Sequence, residues 1–378
     1  MKILIAPNSF KECADATQIA ELFVASLSKR KDYHLFPKPI SDGGDGFVKV
    51  SEKNFSLAKI KYQLPNYSGK NKIICETGYN QKEKTLYIES AKIIGLNQIP
   101  LKDRHPLLLN SAAMGILIKK IIRDIAKGKL QIEKLIIGIG GTGINDLGIG
   151  MLSELGLRLV ARNGEILKPL PVNFNVVTNI IWKKPTLPFK IELIADVNNP
   201  LLGSKGSSYI FGGQKGLTLS EMKIADSGFS NIIKISEREK IIKKVKKISG
   251  AGGGLAAGFQ LFLNARIMHS DKFIFNKLNI NRGTKYNAVI TAEGAFDEQS
   301  FMNKGTGSII KKFGGLKTNV FLVCGIIDKK VLKRLPKNVF PIELSSYFKT
   351  PKESIIKYKQ GIELACREIE KIIDIKTK

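Results

Sequence analysis

Residues 135–150 read LIIGIGGTGINDLGIG, and the reading of this run decides the fold. Leu135, Ile136, Ile137 and Ile139 predict a buried strand. Gly138, Gly140, Gly141 and Gly143 crowd the end of that strand. Asn145 and Asp146 are good helix N-caps, and Met151, Leu152 and Leu155 then recur at helical spacing. The expected order is strand, glycine turn, helix N-terminus. Glycines let backbone N–H groups approach a ligand, and the start of a helix favours an anion. The run is therefore a candidate phosphate-handling loop in an α/β protein.

The same run matches the dinucleotide fingerprint literally, as Gly138-x-Gly140-x-x-Gly143. That fingerprint also needs an acid about twenty positions on, at a second strand, to hold a ribose. Here residues 157–162 read LRLVAR. They contain no acid, although Arg162 could meet a 2′-phosphate. An NAD(P)-dependent oxidoreductase is thus one alternative to phosphate handling, and a structural turn is another.

The chain has 378 residues, 43% of them hydrophobic, enough for more than one domain with a sizeable core. No apolar run is long enough for a transmembrane helix. Residues 1–7, MKILIAP, are too short and too soon broken by Pro7 to predict a signal peptide, and read better as a first strand. Cys13, Cys75, Cys324 and Cys366 lack paired spacing, which speaks against a zinc site or disulfide framework and suits a reducing cytoplasm. His34, His105 and His269 form no ligand pattern. The net charge of +28 raises nucleic-acid binding as a reading. Against it, the lysines are spread along the chain, isoleucine and asparagine are also abundant, and the densest patch, residues 238–247 (REKIIKKVKK), reads as a solvated helix. The charge is taken as compositional bias, favourable to an anionic substrate.

Outward from the central run, a first strand over 2–6 leads into the polar loop Asn8-Ser9-Phe10-Lys11. Asp15 and Gln18 predict a capping box, and Ile19, Leu22, Phe23 and Leu27 a helix face. A strand over 34–40 precedes Ser41-Asp42-Gly43-Gly44-Asp45-Gly46, whose two carboxylates could hold magnesium or simply form a turn. Residues 60–64, 72–77 and 85–91 predict short antiparallel strands. A helix capped at Asn110 or Ser111 carries Met114, Leu117, Ile118 and Ile121 and stops at Gly128. Strands are expected over 176–182 and 190–197, the second ending at Asp196, a common catalytic placement in α/β proteins. Residues 250–254, GAGGG, open a further helix, either as an anion site or for close packing. Residues 288–291 and 320–324 predict buried strands, the first followed by Glu293 to Glu298 and then Lys304-Gly305. A last amphipathic helix carries Tyr358, Ile362, Ala365 and Ile369. No Walker loop, protein-kinase motif set or Gly-x-Ser-x-Gly elbow occurs. Glycine loops with lysines and acids after strands suit phosphoryl transfer, which depends on positioning and charge neutralisation.

Taken together, these motifs resemble the class I glycerate kinase family over nearly the whole chain. The matching segments are Ala6-Pro7-Asn8-Ser9-Phe10-Lys11, residues 41–46, Gly138 to Gly148, Ala195 to Leu201, Phe211 to Gly216, and Thr291 to Ser300 with Lys304-Gly305. Asn8 stands where the family has an acid, Asp45 where it has Glu, and Ala295 where arginine is common. The resemblance implies two α/β domains. One is a flavodoxin-like parallel-sheet domain of residues 1–56, 96–160 and 285–378. The other is a smaller inserted mixed domain of 57–95 and 161–284, with the site in the cleft between them. It implies ATP and Mg2+ as cofactors, and D-glycerate as the substrate, phosphorylated to 2-phosphoglycerate or 3-phosphoglycerate. Asp42 and Asp45 are the metal candidates. With Asn8 unable to act as base, Asp196 takes that role, and Lys11 and Asp297 are further catalytic candidates. Ser9, Gly140, Gly141, Thr142, Asn145, Asp146, Asn199, Lys215, Glu293 and Lys304 are the candidates for substrate and phosphate binding.

Overall fold

Strand Lys2–Ile5 is apolar after its first residue and fully buried from Ile3 on, and the first sheet is built on it. The structure, a computed structural model, describes residues 1–10, 13–195, 199–244, 247–280, 285–301 and 305–377, the side chains of 299, 376 and 377 excepted. The chain divides into two units. The first comprises Met1–Asp42, Lys49–Phe55 and Ser270–Lys378, and the second Gly43–Val48 and Ser56–His269.

In the first unit, Lys2–Ile5 pairs in parallel with His34–Pro37 on one side and Ala288–Phe296 on the other. Asn319–Ile327 and Val339–Glu343 continue the sheet, also in parallel. Numbered within this sheet, the strand order is 2-1-3-4-5, the doubly wound flavodoxin-like order. Helix Ala16–Leu27 covers it with Ile19, Ala20, Phe23 and Leu27. Its expected capping box is present. Asp15 accepts from the Thr17 and Gln18 amides, and the Gln18 side chain accepts from the Asp15 amide. Such a cap contributes about 1 kcal/mol. The closing helix, Tyr358–Thr377, buries Ile362, Ala365 and Ile369 in the same core. The strand expected over 288–291 runs on to Phe296, because residues 292–296 remain in register with Val323 to Ile327.

The second unit holds a six-stranded mixed sheet. Ala58–Pro65, Lys72–Asn80 and Thr85–Glu89 form the expected antiparallel meander. Thr85–Glu89, Lys134–Gly138, Lys190–Ala195 and Arg266–His269 then pair in parallel. This corrects the expected domain boundaries. Residues 96–160 do not join the first sheet, since Lys134–Gly138 pairs with Thr85–Glu89 and Lys190–Ala195. The inserted unit is also the longer of the two. Arg158–Ala161, Ile166–Leu167 and Val177–Ile181 form a third, antiparallel sheet, whose Leu159, Val177 and Ile180 pack into the second unit's core. Among the described residues of the lysine-rich run, 239–244 and 247 are not helical. Helix Leu219–Arg238 ends where they begin, Lys240 has φ +55°, and Ile242 turns into the core.

Candidate functional site

Open parallel sheets bind ligands beyond the carboxyl ends of their strands, where the strand order reverses. In the first unit that point lies between Lys2–Ile5 and Ala288–Phe296. The loop after the first strand follows its neighbour closely. Ala6 N–H donates to the Ile290 carbonyl at 2.8 Å and Asn8 N–H to the Ala292 carbonyl at 2.7 Å. The Asn8 side-chain oxygen accepts from Ser9 N–H at 2.9 Å. Helix Gly305–Phe313 starts beside this loop, where a Cβ on Gly305 would lie 2.5 Å from Asn8 Nδ2. Thr306 Oγ1 donates to the Ala292 carbonyl at 3.1 Å, tying the helix start to the strand. Asn8, Ser9 and the Gly305 helix start therefore share one end of the sheet. Glu293 lies on the same strand, opposite Cys324, and Asp297 follows it, exposed, with Oδ1 accepting from Ser300 N–H.

In the second unit, the central run departs from its expected form. The strand Lys134–Gly138 is present, but residues 139–148 intervene before a helix of only six residues, Ile149–Glu154. The position expected to receive a ligand anion is filled by the protein's own. Asp146, fully buried, accepts from Gly148 N–H and Gly150 N–H at 3.0 Å each, and from Ser111 N–H and Oγ at 2.7 Å each. Burial raises its carboxyl pKa and these four donors oppose the rise. Asp146 thus caps the start of this helix with both carboxylate oxygens engaged. Gly140 N–H is also committed, donating to the Gly43 carbonyl at 2.8 Å. A Cβ on Gly140 would lie 2.5 Å from Gly44 Cα, so this glycine exists to let the acidic loop cross it. The pattern is not a dinucleotide fingerprint, because the next strand, Arg158–Ala161, enters the separate antiparallel sheet instead of lying parallel beside the first. Glycines 252 to 254 likewise serve close packing, with φ of +66°, +69° and +83°, and Gly253 lies against the Ile144 carbonyl.

Helix Ser207–Lys215 braces the central run from both ends. Near its start, Ser208 Oγ accepts from Asn145 Nδ2 at 3.0 Å, and Ser207 Oγ donates to Asn145 Oδ1 at 3.5 Å. At its end, Lys215 Nζ donates to the Ile144 carbonyl at 2.7 Å and to Thr142 Oγ1 at 3.5 Å. Thr142, Asn145 and Lys215 are brought together, but Lys215 is only 3% exposed. Burial lowers its pKa to about 7, against the opposing pull of Asp146. Asn199 Nδ2 donates to the Lys205 carbonyl, and the Asn199 carbonyl accepts from Gly250 N–H.

The acidic loop rests on the glycine run. In the second unit, Asp45 is exposed, and its Oδ2 stands 3.3 Å from where a Gly141 Cβ would be. Asp42, in the first unit, is half-buried. Among the described residues, no group of three or more His, Cys, Asp or Glu could hold a metal ion. Magnesium, however, is usually held by one or two carboxylates with substrate phosphates and water, and Asp45 is an exposed carboxylate of that kind. Lys11, Asp196 and Lys304 lie outside the described residues. Glu89, missed in the sequence, organises the loop, and Ser111, expected only as a helix cap, organises the run.

The sequence model of the glycerate kinase family matches residues 3–374. A glycerate kinase of Haemophilus influenzae is 31% identical over 380 residues, covering 96% of this chain and 98% of its own. The glycerate 2-kinase of Escherichia coli is 31% identical over 323 residues, covering 83% of each chain. A crystal structure of a protein provisionally named glycerate kinase 2, from Salmonella typhimurium LT2, superposes with a TM-score of 0.76 at 25% identity. It covers 100% of this chain and 99% of its own.

Proposed function

The chain belongs to the glycerate kinase family, and from that premise we propose that it transfers the γ-phosphoryl group of ATP to D-glycerate, forming 2-phosphoglycerate. A glycerate hydroxyl oxygen attacks the γ-phosphorus, the bond to the β–γ bridging oxygen breaks, ADP leaves, and the hydroxyl proton passes to a carboxylate. The observation that carries this reading is the nearly end-to-end match to the Haemophilus glycerate kinase. The name of the Escherichia coli relative favours the 2-position.

In this reading Asp196 accepts or orients the hydroxyl proton, with Asp297 and Glu293 as the other acids within the matching motifs. Lys11 and Lys304 neutralise phosphate charge, and Ser9 and Asn199 contact substrate. Asn8 and the Gly305 helix start, at the reversal point of the first sheet, support phosphate binding there. Asp42 and Asp45 hold magnesium directly or through water. Magnesium, when bound, neutralises charge on the phosphate oxygens. Lys215 and Asn145 hold the central run in shape, and Gly141 leaves room for the Asp45 carboxylate. Four cysteines, none of them in a disulfide, suit a reducing compartment, and the cytoplasm is the proposed location.

The test is to incubate the purified protein with ATP, magnesium and D-glycerate and identify the products by phosphorus NMR. ADP and 2-phosphoglycerate are expected, with no turnover in chelator. Formation of 3-phosphoglycerate would overturn the regiochemistry, and unreacted glycerate would overturn the activity.

A further inference from the structure

We infer that Glu89 is a positioning residue whose buried carboxylate fixes the acidic loop and thereby presents Asp45 beside Gly141. The inference rests on the proposed role of Asp45 at magnesium or phosphate. Glu89 closes the strand Thr85–Glu89, in which all five residues are buried. A carboxylate in such a place is costly unless it is well bonded. Its Oε1 accepts from Gly46 N–H at 3.0 Å and its Oε2 from Val48 N–H at 3.2 Å.

Those amides belong to the start of helix Phe47–Asn54. The first N–H groups of a helix have no partner within it. A serine, threonine or aspartate just before the helix usually satisfies them. Here the residue before Phe47 is Gly46, which has no side chain and sits at φ +84°. Glu89 supplies the missing cap from a separate strand. Burial raises its carboxyl pKa, while the two amides and Lys92 oppose the rise.

Asp45 lies between two fixed points. On one side Gly43 O accepts from Gly140 N–H at 2.8 Å, and on the other Glu89 holds Gly46. Both oxygens of Glu89 accept from backbone amides, so its contribution is to hold the loop that carries Asp45. Residues that orient a metal-binding carboxylate typically change activity or metal affinity by about 10- to 100-fold when altered.

The test is a double-mutant cycle of Glu89→Gln and Asp45→Asn, read as kcat and as the magnesium concentration for half-maximal rate. The Gln side chain turns an NH2 group toward one of the two amides. Glu89→Gln is expected to lower kcat about tenfold and raise the half-saturating magnesium at least about fivefold. Hydrogen exchange over Gly43–Val48 should also accelerate. In the Asp45→Asn background the same change should cost less than about twofold, because the two residues act in series. Wild-type kinetics in Glu89→Gln, or losses that multiply, would overturn the inference. A wild-type magnesium response in Asp45→Asn alone would identify the reading of Asp45 as the one that failed. If Glu89→Gln does not fold, Glu89→Asp, which keeps the charge and shortens the reach, goes through the same cycle with the same criteria.

Discussion

Lys215→Met removes a buried ammonium group while keeping an unbranched side chain of similar length. Burial lowers the Lys215 pKa from 10.5 to about 7. One unit corresponds to about 1.4 kcal/mol, so the native state forgoes up to about 5 kcal/mol by burying this group in its charged form. The sign follows from proton counts. Between pH 7 and 10.5 the unfolded chain keeps its proton on Lys215 and the native chain does not. Native stability therefore rises with pH across that window, while below it the group carries its full burial penalty and adds no further pH dependence. Lys215→Met lacks the rise, so its stability relative to wild type should fall by about 4 kcal/mol between pH 7 and pH 10. The variant also leaves the Ile144 carbonyl without its 2.7 Å donor, at a cost of about 1–3 kcal/mol at every pH. The two effects oppose each other at pH 7, whereas near pH 10 the burial penalty has almost vanished and the lost hydrogen bond dominates. Urea unfolding followed by tryptophan fluorescence suits the measurement, because the single tryptophan, Trp182, lies in the same unit and packs on Phe262. The other lysines titrate alike in both proteins and cancel. A stability difference that stays constant from pH 7 to pH 10 would refute the reasoning and mean that Lys215 keeps an ordinary pKa.

Gly140→Ala places a Cβ 2.5 Å from Gly44 Cα, a backbone atom that cannot yield cheaply, and should destabilise the protein by about 1–3 kcal/mol; an unchanged melting temperature would show that the loop shifts freely. Asp196→Asn should keep the fold and ATP binding, seen by circular dichroism and calorimetry, while lowering turnover about a hundredfold or more. Normal turnover in Asp196→Asn with a dead Asp297→Asn or Glu293→Gln would move the base to the later motif. Reversing the exposed Lys243, Lys244 and Lys247 to glutamate should leave the catalytic rate within about twofold, since surface changes away from a site rarely matter. A tenfold loss would show that this basic patch is used.

Local pattern was enough for the elements whose physics is local. The Asp15–Gln18 capping box, the meander over 58–89, the strand before the glycine run and the amphipathic closing helix all follow from propensity, periodicity and side-chain reach within a few residues. The family was legible too, because its motifs occur in order along the chain. Tertiary structure alone decided what those motifs do. Strand pairing is a contact between distant segments, so nothing within residues 134–138 could assign them to the second sheet instead of the first. The glycine run looked like a ligand cradle because glycine signals close approach without naming what approaches. In the folded chain it is partly other backbone that does so, namely Gly43 and Gly44 at Gly140 and Ile144 at Gly253. The anion expected at the helix start is Asp146 itself. Lys215, a phosphate-binding candidate in the sequence, is a buried brace in the fold because its helix begins at Asn145's partners and ends at the Ile144 carbonyl. Glu89 caps a helix some forty residues away in sequence, a role that depends on sheet geometry and has no local signature.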